Sequence, residues 1–119
     1  MLINLSNHPS GGWEPEQLSA ASRYGEIIDM PFPLISAEED EAYIASLAGR
    51  YARIIIEQYD PERDVLHIMG EMCFSFALIR QLRTVGFTCV ASTSERMVRE
   101  DGKGYKEVFF RFIRFRKYE

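Results

Sequence analysis

Side chains that can move protons or hold an anion are concentrated in three short stretches of the chain. The first is Ser6-Asn7-His8, which follows an apolar N-terminal segment and contains one of the two histidines. An imidazole whose ordinary pKa is about 6.5 can serve as a general acid or base near neutral pH. Alternatively, a loop histidine makes only a structural hydrogen bond. His8 is therefore a candidate proton-transfer residue, and Ser6 and Asn7 are candidate ligand-binding residues.

The second stretch, Gly70-Glu71-Met72, lies between an apolar segment and a predicted helix. Gly70 allows the backbone to approach a ligand closely, and the free N–H groups of residues 71 to 74 can bind phosphate or another anion. Glu71 can cap the helix, bind a ribose hydroxyl or act as a base. The chain has neither a glycine-rich dinucleotide motif nor a phosphate-binding loop of the ATPase type, so a standard site for those ligands is not expected.

The third stretch is Ser92-Thr93-Ser94, followed by Glu95 and Arg96. The three hydroxyls can donate to phosphate or simply shape a turn, and Arg96 can hold a phosphate or lie on the surface. Trp13 can stack on a base or pack on the core. His67 lies within an apolar segment and is predicted to be a hydrogen-bonded core residue. No arrangement of serine, histidine and aspartate favours a hydrolytic triad.

Composition narrows the classes of partner. The net charge of −4 argues against DNA and any long nucleic-acid footprint. Charge is uneven, because residues 36–41 are acidic and residues 111–117 are basic, so a small anionic ligand remains compatible. We interpret the acidic run as the first turn of a helix. No Cys/His cluster has metal-ligand spacing, and we expect no metal or cofactor.

Length and hydropathy predict one domain over residues 1–119, with enough apolar side chains (46%) for a core. There is no run of about 18 apolar residues, so we expect no transmembrane helix and no membrane partner. The N-terminus lacks the pattern of a signal peptide. Cys73 and Cys89 lie in apolar surroundings and are predicted to be buried reduced thiols, which favours a cytoplasmic location.

The sequence predicts alternating strands and helices, and these elements must position the candidate site residues. Ser36 and Glu39 form a capping-box pattern at the start of the longest helix, and Gly86 is predicted to end the third. Alternating units require right-handed crossovers and favour a mostly parallel sheet with helices on both faces. We therefore expect a Rossmann-like or flavodoxin-like α/β sandwich ending in a β-hairpin. The predicted strands are 1–5, 26–30, 64–69 and 87–91, the helices 13–22, 36–59 and 72–85, and the hairpin 95–115.

The last predicted strand carries phenylalanines that alternate imperfectly with arginines between residues 109 and 116. A strand with one buried face and one cationic face fits this pattern best. A nucleic-acid stacking platform or a dimer face would use the same residue types.

Ligands of open α/β sheets bind beyond the carboxyl ends of the strands, where the chain order reverses. The loops there are predicted at Ser6-Asn7-His8, Pro31-Phe32-Pro33, Gly70-Glu71-Met72 and Ser92-Thr93-Ser94. In flavodoxin-like order, strands 1 and 3 are neighbours, so the first and third loops should meet.

Three segments, MLINLSNHPS, DVLHIMGEMCFSFALIRQL and CVASTSER, resemble the small CRISPR-associated proteins of the CARF-like, ring-nuclease-like group that accompany type III systems. The resemblance covers nearly the whole chain in its order of elements. It implies a Rossmann-like homodimer that binds a cyclic oligoadenylate second messenger across its two-fold axis. Some members cut the ring without a metal, when a ribose 2′-hydroxyl attacks the adjacent phosphate and leaves a 2′,3′-cyclic phosphate; others only bind it.

Carried over by the resemblance, Ser6, Asn7 and His8 would lie beside one strand end, and the Gly70-Glu71-Met72 stretch would hold phosphate. Thr93 and Arg96 would contact phosphate or the scissile bond. His8 would then transfer the proton and Arg96 would stabilise the developing charge. The sequence departs from better-known ring nucleases because these loops have no lysine, so binding is better supported than cleavage.

Two other functions fit the same residues. One is a small nucleotide- or nucleoside-processing enzyme with Glu71 as nucleophile or base. The other is a non-enzymatic interaction module that uses the aromatic and cationic last strand. A ring-binding protein without turnover would be a sensor or sponge.

Overall fold

The computed structural model describes all 119 residues and has a five-stranded sheet in the order β2-β1-β3-β4-β5. The first four strands pair in parallel, and β5 pairs antiparallel with β4. The predicted α/β fold, with a mostly parallel sheet and a C-terminal hairpin, is confirmed. The elements are β1 (Leu2–Ser6), a 3-10 turn (Ser10–Gly12), α1 (Pro15–Ser22), β2 (Ile27–Asp29), α2 (Glu41–Gln58), β3 (Val65–Met69), α3 (Met72–Thr84), β4 (Thr88–Glu100) and β5 (Lys106–Lys117).

Helices cover both faces of the sheet. Successive side chains of β1 point to opposite faces, as in any β-strand. Ile3 and Leu5 lie in the larger core cluster, which is shared with α2 and α3. Leu2 points the other way, into a smaller cluster that includes Trp13 and Ala21 of the α1 side. No helix combines the length and apolar character needed to cross a lipid bilayer.

The longest helix begins later than the capping-box pattern predicts. Asp40 is its N-cap, and the Asp40 carboxylate accepts a hydrogen bond from the backbone N–H of Tyr43 at 2.9 Å. Ser36 instead accepts from the N–H of Glu38 within a turn. Several short polar or acidic side chains precede this helix, and each of them is a possible N-cap. The capping-box pattern therefore marks Ser36, four residues before the N-cap of the structure.

The sequence predicts that the fourth strand ends after Ala91 in a turn. In the structure, β4 continues through this position. Residues 92 to 94 are strand residues paired with β5, which supplies the backbone hydrogen bonds that a turn would have provided. The register shifts between Thr93 and Ser94, where Ile113 of β5 has no partner. This bulge lets Phe112 and Phe115, three residues apart, both pack into the α1-side cluster. The bulge therefore explains why phenylalanines and arginines alternate imperfectly between residues 109 and 116.

The two cysteines have different environments. Cys89 is buried in the larger core, where burial raises its pKa to about 12, whereas Cys73 lies in the exposed first turn of α3. The prediction of two buried thiols is therefore wrong for Cys73, because the second residue of α3 faces solvent while Phe74 faces the core.

Candidate functional site

The loops after β1 and β3 meet at the carboxyl edge of the sheet, as the strand order requires. β1 has β2 on one side and β3 on the other, so the chain order reverses between β1 and β3. The N–H of Asn7 donates to the carbonyl of Met69 at 3.3 Å, which joins the two loops directly. The candidate site is therefore built around the ends of these two strands.

A row of hydrogen-bonded side chains crosses four strands just below this edge. Asn4 Nδ2 donates to Asp29 Oδ1 at 2.9 Å, and Asn4 Oδ1 lies 2.8 Å from His67 Nδ1. His67 Nε2 lies 3.2 Å from the Ser92 hydroxyl. We call the residues Asp29, Asn4, His67 and Ser92 the polar row; they come from β2, β1, β3 and β4 in the order of the strands.

Asn4 is the centre of the polar row. It is 2% exposed, and its side chain also donates to the carbonyl of His8 (2.9 Å) and accepts from the hydroxyl of Ser6 (2.8 Å). An amide side chain has two donor hydrogens and two acceptor lone pairs, so every one of them is used. The full set of bonds fixes the rotamer of Asn4 and holds its neighbours in register.

The bond to Asn4 determines the tautomer of His67. Oδ1 of Asn4 can only accept, so Nδ1 of His67 carries the hydrogen and the lone pair of Nε2 faces Ser92. Burial lowers the pKa of His67 to about 4, with a smaller contribution from the charge of His8. The imidazole is therefore neutral at pH 7.

A neutral imidazole beside a hydroxyl, with a third group orienting the ring, is the arrangement of an activated serine. Here Ser92 is the hydroxyl, His67 the base and Asn4 the orienting group. Ser92 is half-buried, and its hydroxyl also lies 3.0 Å from the sulfur of Met69. Chemically, the pair can relay a proton or present a polarised hydroxyl to a ligand at the edge.

Asp29 closes the polar row at β2. Burial works to raise its pKa, but hydrogen bonds from Asn4 and from the backbone and hydroxyl of Ser10 outweigh it, and the pKa is lowered. The carboxylate thus stays ionised and holds both Asn4 and the loop after β1. Asn4 and Asp29 were not identified from the sequence. The signal that could have found them is a polar residue within each of two adjoining predicted strands.

The predicted residues of the first loop contribute mainly through backbone and buried groups. Ser6 is buried and accepts from the N–H of His8 (3.2 Å), while the His8 ring is exposed. The carbonyl of His8 accepts from Trp13 Nε1 at 3.0 Å. The Trp13 ring is 8% exposed and packs edge-on against His67, with centroids 5.4 Å apart. Asn7 is exposed at the edge.

Glu71 caps α3. Its two carboxylate oxygens accept from the N–H groups of Cys73 (2.9 Å) and Phe74 (3.1 Å), so an anion at this helix terminus has to displace them. Gly70 lies against the ring of Phe32, which occupies the space that a Cβ would need. Met72 is 83% exposed.

The predicted residues beyond Ser92 lie away from the polar row. β4 pairs with β3 only as far as Val90, and afterwards with β5 alone, so the two form a ribbon that projects past the sheet. Thr93 donates to the carbonyl of Arg114 at 2.9 Å, and Ser94 and Arg96 are exposed on the ribbon. At roughly 3.3 Å per residue, Arg96 lies about 13 Å along the strand from Ser92. One chain therefore does not bring Arg96 beside His8.

A hollow of about 320 Å³ opens at the β1–β2 end of the polar row. Its wall includes Ser6, Asn7, Asp29 and Phe32. The structure contains no group of three or more His, Cys, Asp or Glu side chains placed to hold a metal ion. The edge therefore offers hydrogen-bonding groups and an open surface to a ligand.

Comparison with known proteins identifies the family. The profile of the family described as "Uncharacterized protein MJ1673 family" matches residues 1–116, so the chain belongs to that family. No curated protein and no solved structure matches the chain.

Proposed function

We propose that this member of the MJ1673 family is a Rossmann-like protein that binds a cyclic oligoadenylate between two copies of the chain. The observation that carries the proposal is the polar row, which crosses the switch point between β1 and β3 and ends in the half-buried hydroxyl of Ser92 on β4. The strand order is the flavodoxin-like one, for which ligands lie at this edge. The resemblance noted in the sequence adds the class of ligand and a role in type III CRISPR immunity.

Two-fold symmetry explains how an acidic chain can hold a polyanionic ring. A pair of copies doubles each exposed cation around the axis, and a symmetric ring presents the same groups to both. The ribbon residues 93–117 contain eight Lys or Arg and four Asp or Glu, a local charge of about +4 against −4 for the whole chain. In a dimer, the projecting ribbon of one copy can bring Arg96 to the edge of the other.

Cleavage, where it occurs, uses the ribose 2′-oxygen as nucleophile. It attacks the adjacent phosphorus, the bond to the 5′-oxygen breaks, and a 2′,3′-cyclic phosphate remains. Neutral His67 accepts a proton relayed through Ser92 from the 2′-hydroxyl, and the exposed His8 supplies one to the leaving 5′-oxygen. His67 is neutral at pH 7 and can accept a proton, and its pKa of about 4 makes it a weak base.

The test is incubation of the purified chain with cyclic tri-, tetra- and hexa-adenylate. Binding is measured by calorimetry and products by chromatography. We expect one ring size to bind with a stoichiometry of one ring per two chains. Ser92→Ala should reduce any cleavage at least tenfold, whereas Ser94→Ala, which changes the same residue type on the exposed ribbon, should not. Failure of all three rings to bind rejects the proposal, and binding without products leaves a sensor or sponge.

The alternative of a nucleotide-processing enzyme with Glu71 as nucleophile or base is less well supported. Both carboxylate oxygens of Glu71 are engaged in capping α3. If Glu71→Gln lowers turnover of a mononucleoside substrate while α3 stays folded, this alternative replaces the first.

A further inference from the structure

A second cavity lies on the other side of the sheet from the polar row. It has a volume of about 380 Å³ and is bounded by α3 and the end of β5. Its lining includes Met69 and Gly70, at the carboxyl end of β3, so it adjoins the edge without containing any residue of the polar row. Cavities that hold small ligands begin at about this size, and one base with a phosphate fills such a space.

The walls of this cavity include flat and polarisable side chains that the fold leaves uncovered. Met72 is 83% exposed and Phe76 is 64% exposed, one turn apart on the same side of α3. Opposite them, the hydroxyl of Tyr118 donates to the carbonyl of Ile68 at 2.7 Å, which holds the phenol ring in place. Exposed apolar side chains beside a fixed aromatic ring favour a planar ligand.

Three polar side chains of the cavity have no hydrogen-bond or ion-pair partner within the chain. The hydroxyl oxygen of Ser75 is the one fully buried side-chain oxygen or nitrogen without a hydrogen bond, and the residue is 7% exposed. Arg80 and Arg83 form no ion pair, and the Arg80 guanidinium lies 5.8 Å from the centre of the Phe76 ring. The remaining charged group in the lining is Glu119.

We propose that this cavity binds a purine nucleotide. The base lies on Phe76, a base nitrogen or exocyclic group supplies the missing partner of Ser75, and the phosphate is held by Arg80 and Arg83. A fatty acid would satisfy the arginines and the apolar wall but would leave the Ser75 hydroxyl unpaired, so its match is poorer. The inference goes beyond ring binding, because it requires only one chain and a nucleotide unit, whether free or part of a larger ligand.

The experiment is calorimetric titration of the full chain with AMP, GMP, CMP, UMP and inorganic phosphate. We expect a purine nucleotide to bind with one site per chain and phosphate alone to bind at least tenfold more weakly. Phe76→Ala and Arg83→Gln should each weaken binding about tenfold. Arg53→Gln, which changes an exposed arginine on α2 outside the cavity, should leave the affinity unchanged.

Ser75→Ala separates binding from folding. Removing an unsatisfied buried hydroxyl should raise the melting temperature, yet it should weaken nucleotide binding about fivefold, so the two effects have opposite signs. A thermal gain with unchanged affinity would overturn the inference, as would the absence of saturable binding by any nucleotide or ring. If cyclic oligoadenylates fail but AMP or GMP binds here, the inference stands and the proposed function falls. If a ring binds and all three cavity variants bind it normally, while no mononucleotide binds, the proposed function stands and this inference falls.

Discussion

The Nδ1 atom of His67 lies 2.8 Å from Oδ1 of Asn4, a residue 63 positions earlier in the chain. This bond joins the two strands that flank the switch point and fixes which nitrogen of the imidazole carries the hydrogen. One buried hydrogen bond thus both links the strands and sets the protonated nitrogen of His67.

His67 should make folding stability depend on pH. Burial lowers its pKa to about 4, whereas the unfolded chain has the ordinary value of 6.5. Between these values the unfolded state binds a proton that the folded state does not, so the stabilising contribution is complete above pH 6.5 and is lost as pH falls toward 4. The loss should approach about 3 kcal/mol. Urea unfolding at half-unit intervals of pH measures it.

The two histidines provide a matched pair for this measurement. His8→Ala, which changes the exposed one, should keep the loss of stability between pH 6.5 and 4. His67→Gln should be less stable at pH 7 but should lose most of this dependence. An unchanged pH profile in His67→Gln would show that the dependence comes from the carboxylates instead.

Asn4 should be among the most sensitive positions outside the apolar core. Asn4→Ala removes four hydrogen bonds at once and leaves Asp29, Ser6 and His67 without their shared partner. We expect the free energy of unfolding to fall by about 3 kcal/mol. Asn7→Ala, at the exposed edge, should change it by less than about 0.5 kcal/mol. Chemical denaturation of both variants decides, and equal effects would contradict the central role of Asn4.

The sequence predicted the three helices, the first three strands and the edge at which they meet, because apolar periodicity and helix-end residues act locally. It did not predict the polar row, because Asp29, Asn4, His67 and Ser92 are separated along the chain and meet only through strand register. His67 was correctly predicted to be a hydrogen-bonded core residue. Its partners could not be named before the order of strands was known.

The end of β4 shows the opposite case, in which a local signal was misleading. Ser92-Thr93-Ser94 has the composition of a turn, yet pairing with β5 keeps it extended. From the sequence, Glu71 can cap the helix, bind a ribose hydroxyl or act as a base. In the structure, capping occupies both of its carboxylate oxygens. The choice among such roles depends on which neighbouring donors the fold brings within reach.

The bulge at Ile113 predicts a sharp contrast between two phenylalanines of β5. Phe115 is 8% exposed and contacts the rings of Trp13, Tyr24 and His67, whereas Phe110 is 63% exposed on the ribbon. Phe115→Ala should lower the free energy of unfolding by about 3–5 kcal/mol. Phe110→Ala should lower it by less than about 1 kcal/mol. Similar losses in thermal unfolding would mean that the ribbon packs against the body in solution.

Gly70 should tolerate no side chain while Phe32 is present. A Cβ at residue 70 would overlap the Phe32 ring, which is itself packed edge-on against Phe74 at 5.3 Å between centroids. Because an overpacked side chain forces its neighbour to move, Gly70→Ala should lower the free energy of unfolding by about 1–3 kcal/mol. Gly49→Ala is the control: nothing lies near its Cβ position, and within α2 it should stabilise by about 0.5–1 kcal/mol.

A double-mutant cycle identifies Phe32 as the cause. In a Phe32→Ala background, Gly70→Ala should have little further effect, so the coupling between the two positions should be about 1–3 kcal/mol. Gly70 lines the cavity beside α3, and Phe32 lines the hollow at the β1–β2 end of the polar row, so the same variants should also be titrated with the cyclic oligoadenylates and AMP. Additive losses of stability would mean that the cost of Gly70→Ala has a cause other than overlap with the Phe32 ring.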